Sequence, residues 1–199
     1  MTEALQTNTQ FVPPPARALT PLIEVSPCFT GVELDRIIAE GLALPLAKGQ
    51  VTAVERAPKA RNSTIALFPN EPRHSWMVER IAQVVNYANR QHWGFDLAGS
   101  ERLQFSAYGP GEHYDWHVDL GARHHFAQRK VSVSVLLNDP AEYEGGDLEV
   151  STGSANNVCA RTRGAVILFP SYAMHRVTSV TKGTRYSLVA WIVGATPFR

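Results

Sequence analysis

Apolar residues recur at helical spacing in two segments of the N-terminal half. Before the first segment, Thr30 and Glu33 form a capping box, and the pattern predicts a helix over residues 31–42. In the second, apolar positions spaced three and four residues apart predict a helix that ends near Asn89. The apolar faces comprise Leu34, Ile37, Ile38 and Leu42 in the first helix, and Met77, Ile81, Val84, Val85 and Ala88 in the second.

From residue 103 onward, the period changes to two or to short β-branched runs, which is typical of strands. Turn signals such as Gly109-Pro110-Gly111 and Gly145-Gly146 separate these runs. The predicted strands are Leu103–Tyr108, Lys130–Leu137, Asp147–Val150, Ala165–Phe169, Arg176–Val180 and Arg185–Val193. A further alternating strand is predicted over Ser63–Phe68.

Helices first and strands after, within one domain, indicate a mainly β (α+β) fold: a jelly-roll core braced by two N-terminal helices. Residues 1–20 are polar and then proline-rich, with Pro13-Pro14-Pro15, and are expected to form a flexible arm. Residues 21–199 are expected to form a single domain. This length suits one sizeable core.

The composition limits the kinds of binding partner and structural group that we expect. The 19 Lys+Arg and 18 Asp+Glu residues give a formal charge of +1, so no broad basic surface for nucleic acid is expected. The two cysteines, Cys28 and Cys159, do not form a zinc motif or a disulfide scaffold. No leader or membrane-spanning run is evident, so we expect a cytoplasmic protein without membrane contact. The sequence does not predict the oligomeric state.

Candidate metal ligands lie in the β-rich half. In His117-Val118-Asp119, one intervening residue on an extended segment places both donors on the same face. About one such chain in three would contain this pair by chance, so it is weak evidence alone. His175 is the best third ligand. Two imidazoles and one carboxylate leave positions open for oxygen and a chelating co-substrate on Fe(II), although zinc hydrolysis uses similar ligands.

Arg185 distinguishes these two readings. Its planar guanidinium suits two-point binding of a carboxylate, and Ser187 projects from the same face of the strand with a hydroxyl donor. Tyr108 lies on the strand that leads to His117, where its hydroxyl could bond an acidic co-substrate or its ring could simply fill the core. The pattern favours an anchor for a dicarboxylate.

The spacing H-x-D, a distal His and then Arg-x-Ser ten residues later resembles that of the Fe(II)/2-oxoglutarate dioxygenases. Residues 101–193 resemble the prolyl-4-hydroxylase-like branch, on the stretches LQFSAYGPGEHYDWHVD, RKVSVSVLLNDPAEYEGGDLEV and GAVILFPSYAMHRVTSVTKGTRYSLVAWIV. Residues 61–97 fit more loosely. The resemblance implies a double-stranded β-helix, with iron at His117, Asp119 and His175, and 2-oxoglutarate at Arg185 with help from Tyr108.

By the same resemblance, the activity is hydroxylation of an aliphatic C–H bond of a prolyl, peptidyl or amino-acid substrate, with release of succinate and CO2. The cofactors are Fe(II), 2-oxoglutarate and O2, with ascorbate as a candidate reductant. One departure concerns Leu136, which stands where hypoxia-type prolyl hydroxylases carry a tyrosine that contacts 2-oxoglutarate. We therefore expect Leu136 to serve only as pocket wall.

Two segments are candidate lids over the site, residues 45–62 and residues 120–129, and both are equally interpretable as solvated loops. Arg61 and Trp116 are candidate substrate contacts. Two alternatives remain: a cupin-like metal- or ligand-binding jelly roll without oxygenase activity, and an iron/2-oxoglutarate sensor acting through the N-terminal arm. The substrate itself cannot be read from these residues.

Overall fold

The computed structural model describes residues 20–49, 60–122, 124–153 and 155–198. Apart from Thr20, the predicted N-terminal arm lies outside these residues, as does most of the first candidate lid. The second candidate lid, apart from residue 123, contains a 3-10 helix at His124–Gln128.

Two α-helices precede the main strands, as predicted. Helix α1 spans Gly31–Ala43, and its capping box is formed, with the Glu33 amide donating to the Thr30 hydroxyl and the Glu33 carboxylate accepting from the Thr30 amide. Helix α2 spans Ser75–Ala88 and continues into a π-helical turn, Asn89–Trp93, that the periodicity did not predict. Among the described residues, no helix is long and apolar enough to cross a membrane.

Within the part of the chain that the structure describes, fifteen strands form three sheets. In chain order they are β1 Ile23–Val25, β2 Ala47–Lys48, β3 Arg61–Asn62, β4 Thr64–Leu67, β5 Gly99–Ser100, β6 Gln104–Tyr108, β7 His113–His117, β8 Arg129–Leu136, β9 Tyr143–Gly145, β10 Leu148–Ser151, β11 Asn156–Val158, β12 Val166–Pro170, β13 His175–Val177, β14 Val180–Gly183 and β15 Arg185–Val193. The largest sheet runs β1-β12-β8-β15-β6-β4-β2, with β5 on β15; the second runs β11-β10-β13-β7-β3; the third pairs β14 with β9. Every pairing is antiparallel.

The largest sheet has two different faces. One face packs under both helices in the main hydrophobic core, where strand residues such as Phe105, Val133 and Leu188 meet Ile37 and Ile81. The opposite face turns toward the second sheet. A smaller apolar cluster joins the two sheets, in which Tyr108, Ile167 and Phe169 of the large sheet meet Leu148, Val150 and Val177 of the second. This is the predicted jelly-roll core braced by two N-terminal helices.

One predicted strand is wrong. Residues 176–180 do not form a single strand, because the chain leaves the second sheet after Val177 and enters the third at Val180. The bend is fixed by Asp147, whose carbonyl accepts from the Thr178 amide (2.9 Å) and whose amide donates to the Thr178 hydroxyl (2.8 Å). β-Branched composition does not reveal such a side-chain bond. Strands β1 and β11, which the sequence analysis did not predict, form by pairing with β12 and β10.

Helix α1 approaches the large sheet at Gly41. A Cβ built there would lie 2.5 Å from the Phe105 ring, whereas one built at Gly31 of the same helix meets nothing within 4 Å. Glycine to alanine in a helix ordinarily stabilises by up to about 1 kcal/mol. We expect Gly41→Ala to lower the free energy of unfolding by about 1–3 kcal/mol, because the added methyl overpacks the contact.

Gly31→Ala is the matched control and should be neutral or stabilising. Urea unfolding followed by circular dichroism measures both variants. A stabilised Gly41→Ala variant would contradict the close approach of α1 to Phe105.

Candidate active site

Antiparallel pairing brings the three candidate metal ligands together. Strand β7 pairs with β13 so that His117 stands opposite His175. Asp119 follows β7 by two residues, and its amide donates to the Ser171 carbonyl at 3.0 Å, which fixes the turn. The ligand atoms of His117, Asp119 and His175 all lie within 4.8 Å of one another. Residues more than fifty positions apart in sequence therefore form one cluster.

Both imidazoles are oriented by backbone carbonyls. His117 Nδ1 lies 2.7 Å from the Asp115 carbonyl oxygen, and His175 Nδ1 lies 3.0 Å from that of Ala173. Because a carbonyl only accepts, each Nδ1 carries the proton and each Nε2 presents its lone pair. His117 Nε2 is 3.8 Å from Asp119 Oδ1, and His175 Nε2 is 3.5 Å from Asp119 Oδ2. A metal-binding histidine has this orientation.

The electrostatics of the cluster suit a cation. Burial lowers the pKa of His117 to about 3, and the nearby His175 adds to the shift, so the His117 imidazole is neutral. Burial alone would raise the pKa of the Asp119 carboxyl, but His175, His117 and the Ser132 hydroxyl hold it below its ordinary value. One carboxylate with two imidazole nitrogens is a donor set that fits Fe(II).

Arg185 lies on the same inner face of the large sheet. In the β15–β6 pair, Arg185 stands opposite Tyr108, and its guanidinium lies 5.6 Å from the centre of the Tyr108 ring. Its Nη1 donates to the Ser187 hydroxyl at 3.1 Å. Arg185 is only 4% exposed, yet among the described residues no carboxylate lies within 4 Å of its guanidinium. A buried cation of this kind requires an anion.

One cavity joins most of the predicted residues. His117, Asp119, His175, Arg185, Tyr108, Ser187 and Arg61 all line it. Leu136 lines an adjoining cavity that shares Arg185 with the first, and its role as pocket wall stays a prediction. Trp116 is not among the residues that line either cavity. It packs instead against Arg176, whose guanidinium lies 4.8 Å from its ring centre. The contact of Trp116 with substrate stays a prediction.

Several residues that line this cavity were not predicted from the sequence as part of the site, among them Tyr114, Trp191 and Ser132. Tyr114 stacks on His117 with ring centroids 3.4 Å apart, and burial raises the pKa of Tyr114 to about 12. Trp191 lines the cavity under the Arg129 guanidinium, which lies 4.0 Å from its ring centre. The sequence signal that could have identified Trp191 is the two-residue period of β15, which puts Trp191 on the same face as Arg185. Ser132 donates to Asp119 Oδ2 at 2.7 Å.

Comparisons with known proteins agree with this geometry. Residues 103–193 match the 2OG-Fe(II) oxygenase superfamily. A PKHD-type hydroxylase of Psychrobacter sp. (strain PRwf-1) is 30% identical over 145 residues, which is 65% of this chain and 56% of that protein. The alignment thus spans little more than half of that relative.

Solved structures show the same fold. A Pseudomonas putida prolyl-4-hydroxylase matches with a TM-score of 0.66 at 20% identity, covering 87% of this chain and 92% of that one. A Trichoplax adhaerens prolyl hydroxylase, solved with a hypoxia inducible factor peptide fragment, matches with a TM-score of 0.71 at 17% identity, covering 87% and 83%. Fold and site define a jelly-roll protein with a His-Asp-His cluster. Over residues 103–193, the chain is similar to the 2OG-Fe(II) oxygenase superfamily. This family implies Fe(II), 2-oxoglutarate and O2.

The buried His117 makes the stability of the metal-free protein depend on pH. Its pKa is near 6.5 when unfolded and about 3 when folded, so between these values the unfolded chain binds more protons. The free energy of unfolding should therefore fall with decreasing pH across this window, by up to about 1.4 kcal/mol per pH unit for this one group. The pKa of Asp119 is also lower in the folded protein than its ordinary value of 3.8. As the pH falls near and below 3.8, Asp119 therefore further lowers the free energy of unfolding.

Urea titrations of the metal-free protein at a series of pH values measure this slope, and His117→Gln is the control, for which a shallower slope is expected. Equal slopes for the two proteins would show that His117 is not buried in its neutral form.

Proposed function

We propose that this protein is an Fe(II)- and 2-oxoglutarate-dependent dioxygenase that hydroxylates an aliphatic C–H bond of a prolyl or other peptidyl substrate, or of an amino acid. In the overall reaction, R–H, O2 and 2-oxoglutarate give R–OH, succinate and CO2. The observation that carries the proposal is the buried guanidinium of Arg185, without a carboxylate partner among the described residues, in the same cavity as the His-Asp-His cluster.

His117 Nε2, His175 Nε2 and one oxygen of Asp119 are the proposed iron ligands. The Nδ1–H groups of His117 and His175 donate to the carbonyls of Asp115 and Ala173. These hydrogen bonds hold both rings in the required tautomer in the absence of metal. When bound, the iron supplies the redox chemistry that couples 2-oxoglutarate decarboxylation to C–H oxidation. The chain's own contribution is a fixed set of three donors that leaves the remaining positions for the co-substrate and O2.

Arg185 is the proposed partner of the carboxylate of 2-oxoglutarate that lies far from the metal. Its planar fork offers two parallel N–H donors, and the bond to Ser187 fixes the orientation of the guanidinium. The polar residues Tyr108 and Ser187 border the path from the metal cluster to Arg185. Leu148, Phe169 and Val177 line the same cavity and reduce access of water to it.

A stack of three side chains forms the proposed substrate side. The Arg61 guanidinium lies 4.6 Å from the centre of the Tyr114 ring, which in turn stacks on His117. Among the described residues, no carboxylate pairs with Arg61; its Nε donates to the Ser63 hydroxyl at 2.8 Å. This leaves guanidinium donors for a carbonyl or carboxylate of the substrate. The Trichoplax neighbour was solved with a peptide, which supports a peptidyl target.

The two alternatives differ in what they require. A cupin-like protein without oxygenase activity gives no reason for a buried, unneutralised Arg185 facing the metal cluster, and is not favoured. The sensor hypothesis depends on the arm over residues 1–20 and stays a prediction, as does the cytoplasmic location.

The activity is tested by loading the protein anaerobically with Fe(II) and 2-oxoglutarate, adding O2, and quantifying succinate with candidate peptides and amino acids, with and without ascorbate. Succinate that depends on Fe(II), on O2 and on a substrate supports the proposal. A protein that binds both Fe(II) and 2-oxoglutarate yet forms no succinate with any substrate would overturn it.

The separate roles of Asp119 and Arg185 predict different kinetic defects. Asp119→Ala should remove iron-dependent succinate formation. Arg185→Lys should raise the KM for 2-oxoglutarate by about 10–100-fold, because one ammonium replaces the two-point fork, while Fe(II) affinity stays unchanged. Steady-state kinetics and anaerobic Fe(II) titration measure the two effects.

Arg36→Lys, on the exposed face of helix α1, is the matched control and should leave both constants unchanged. If Arg185→Lys lost Fe(II) affinity while keeping its KM for 2-oxoglutarate, the assigned role of Arg185 would be wrong.

A further inference from the structure

Asp119 is held from three directions by residues outside the metal cluster. Its Oδ2 accepts from the Ser132 hydroxyl at 2.7 Å, its amide donates to the Ser171 carbonyl at 3.0 Å, and its carbonyl accepts from Arg129 Nη1 at 3.3 Å. None of these three side chains offers an imidazole, a thiol or a carboxylate to a metal. They therefore act on Asp119 and not on the ion itself.

Ser171 and Ser132 form a continuous pair. Their hydroxyl oxygens lie 3.1 Å apart, and the two residues are 0% and 1% exposed. The Ser171 carbonyl also accepts from the Leu120 amide at 2.9 Å. Ser171 begins the turn that leads to His175, closed by the Ala173 amide donating to the Pro170 carbonyl at 2.7 Å. The pair thus ties the turn that carries Asp119 to the turn that carries His175.

This buried arrangement constrains the carboxylate. The Ser132 hydroxyl has one proton and donates it in a hydrogen bond to Oδ2. The Ser171 hydroxyl can donate to the Ser132 oxygen, so both hydrogen bonds point toward Asp119. Oδ1 lies 3.8 Å from His117 Nε2, whereas Oδ2 lies 3.5 Å from His175 Nε2 and is the oxygen that accepts from Ser132. The two oxygens of one carboxylate are therefore in different environments.

We propose that Ser132 and Ser171 are positioning residues that occupy Asp119 Oδ2 and so present Oδ1 as the single metal-binding oxygen. This rests on the proposed function, because it concerns how the iron site is preorganised. A carboxylate that binds through one oxygen takes one position on the metal, whereas a two-oxygen ligand takes a second position that the co-substrate or O2 needs. The serine pair therefore keeps the site open as well as increasing its affinity.

Metal binding tests the inference without turnover. Metal-free protein is titrated anaerobically with Co(II), whose visible spectrum reports both affinity and coordination. Loss of an outer partner of a ligand typically weakens metal binding by about 10–100-fold. Ser132→Ala should therefore bind Co(II) at least about 10-fold more weakly, with an altered spectrum. Ser132→Thr keeps the hydroxyl and should restore both the Co(II) affinity and the spectrum. Ser171→Ala should weaken Co(II) binding as well, but by less than Ser132→Ala does.

Ser106→Ala is the matched control. Ser106 is a fully buried strand serine whose hydroxyl accepts from the Gln104 amide group at 2.8 Å and does not contact Asp119. It should bind Co(II) as the unmodified protein does. Circular dichroism confirms that each variant is folded, and Ser132→Thr and Ser171→Ala keep the test decisive if Ser132→Ala does not fold.

Ser132→Ala that binds Co(II) with unchanged affinity and spectrum would overturn the positioning role while leaving the dioxygenase proposal intact. An unmodified protein that binds neither Co(II) nor Fe(II) would overturn both.

Discussion

The two-residue period of the central strands of the large sheet determines which side chains face the core and which line the cavity. On β15, Leu188, Ala190 and Ile192 belong to the core beneath the helices, whereas Arg185, Ser187 and Trp191 line the cavity between the sheets. A shift of one residue in register would exchange these two sets. The apolar face, braced by α1 and α2, therefore fixes the register that delivers the polar face to the site.

That polar face is unusual because it is buried. Ser132, Ser134, Ser187 and Arg185 are each less than a tenth exposed, although hydroxyl and guanidinium groups are costly to remove from water without partners. Hydrogen bonds among the serines and Asp119 satisfy part of this demand. The charge of Arg185 is not neutralised by any carboxylate that the structure describes, and an anionic co-substrate would complete it. The proposed binding of 2-oxoglutarate would therefore supply the negative charge that the buried polar face of the sheet lacks.

Periodicity predicted most of this fold. The apolar spacing gave α1 with its Thr30 capping box and α2, and the β-branched runs gave the central strands within one or two residues of their ends. Several strands were not predicted, among them the short strands β1 and β11 and strand β7, which carries His117, because pairing with neighbouring strands sets their positions. The strand predicted over 176–180 failed where a side chain of Thr178 bonds the backbone of Asp147 and turns the chain. Local patterns do not contain such contacts between distant residues.

For the site, sequence spacing identified the residues that carry charge or a lone pair, and the structure places His117, Asp119, His175 and Arg185 around one cavity. Trp116 was selected because it is adjacent to His117 in sequence; its ring packs against Arg176, and its contact with substrate stays a prediction. Tyr114 and Ser132 were missed, since their roles depend on stacking and hydrogen bonding that require coordinates.

The central claim is that one cavity binds a metal through His117, Asp119 and His175 and a dicarboxylate through Arg185. A crystal structure of the protein with Mn(II), as a redox-inert substitute for Fe(II), and 2-oxoglutarate tests this claim most directly. The account predicts one metal on those three side chains and the far carboxylate of 2-oxoglutarate paired with both arms of the Arg185 guanidinium. A metal held by other residues, or 2-oxoglutarate bound away from Arg185, would contradict it.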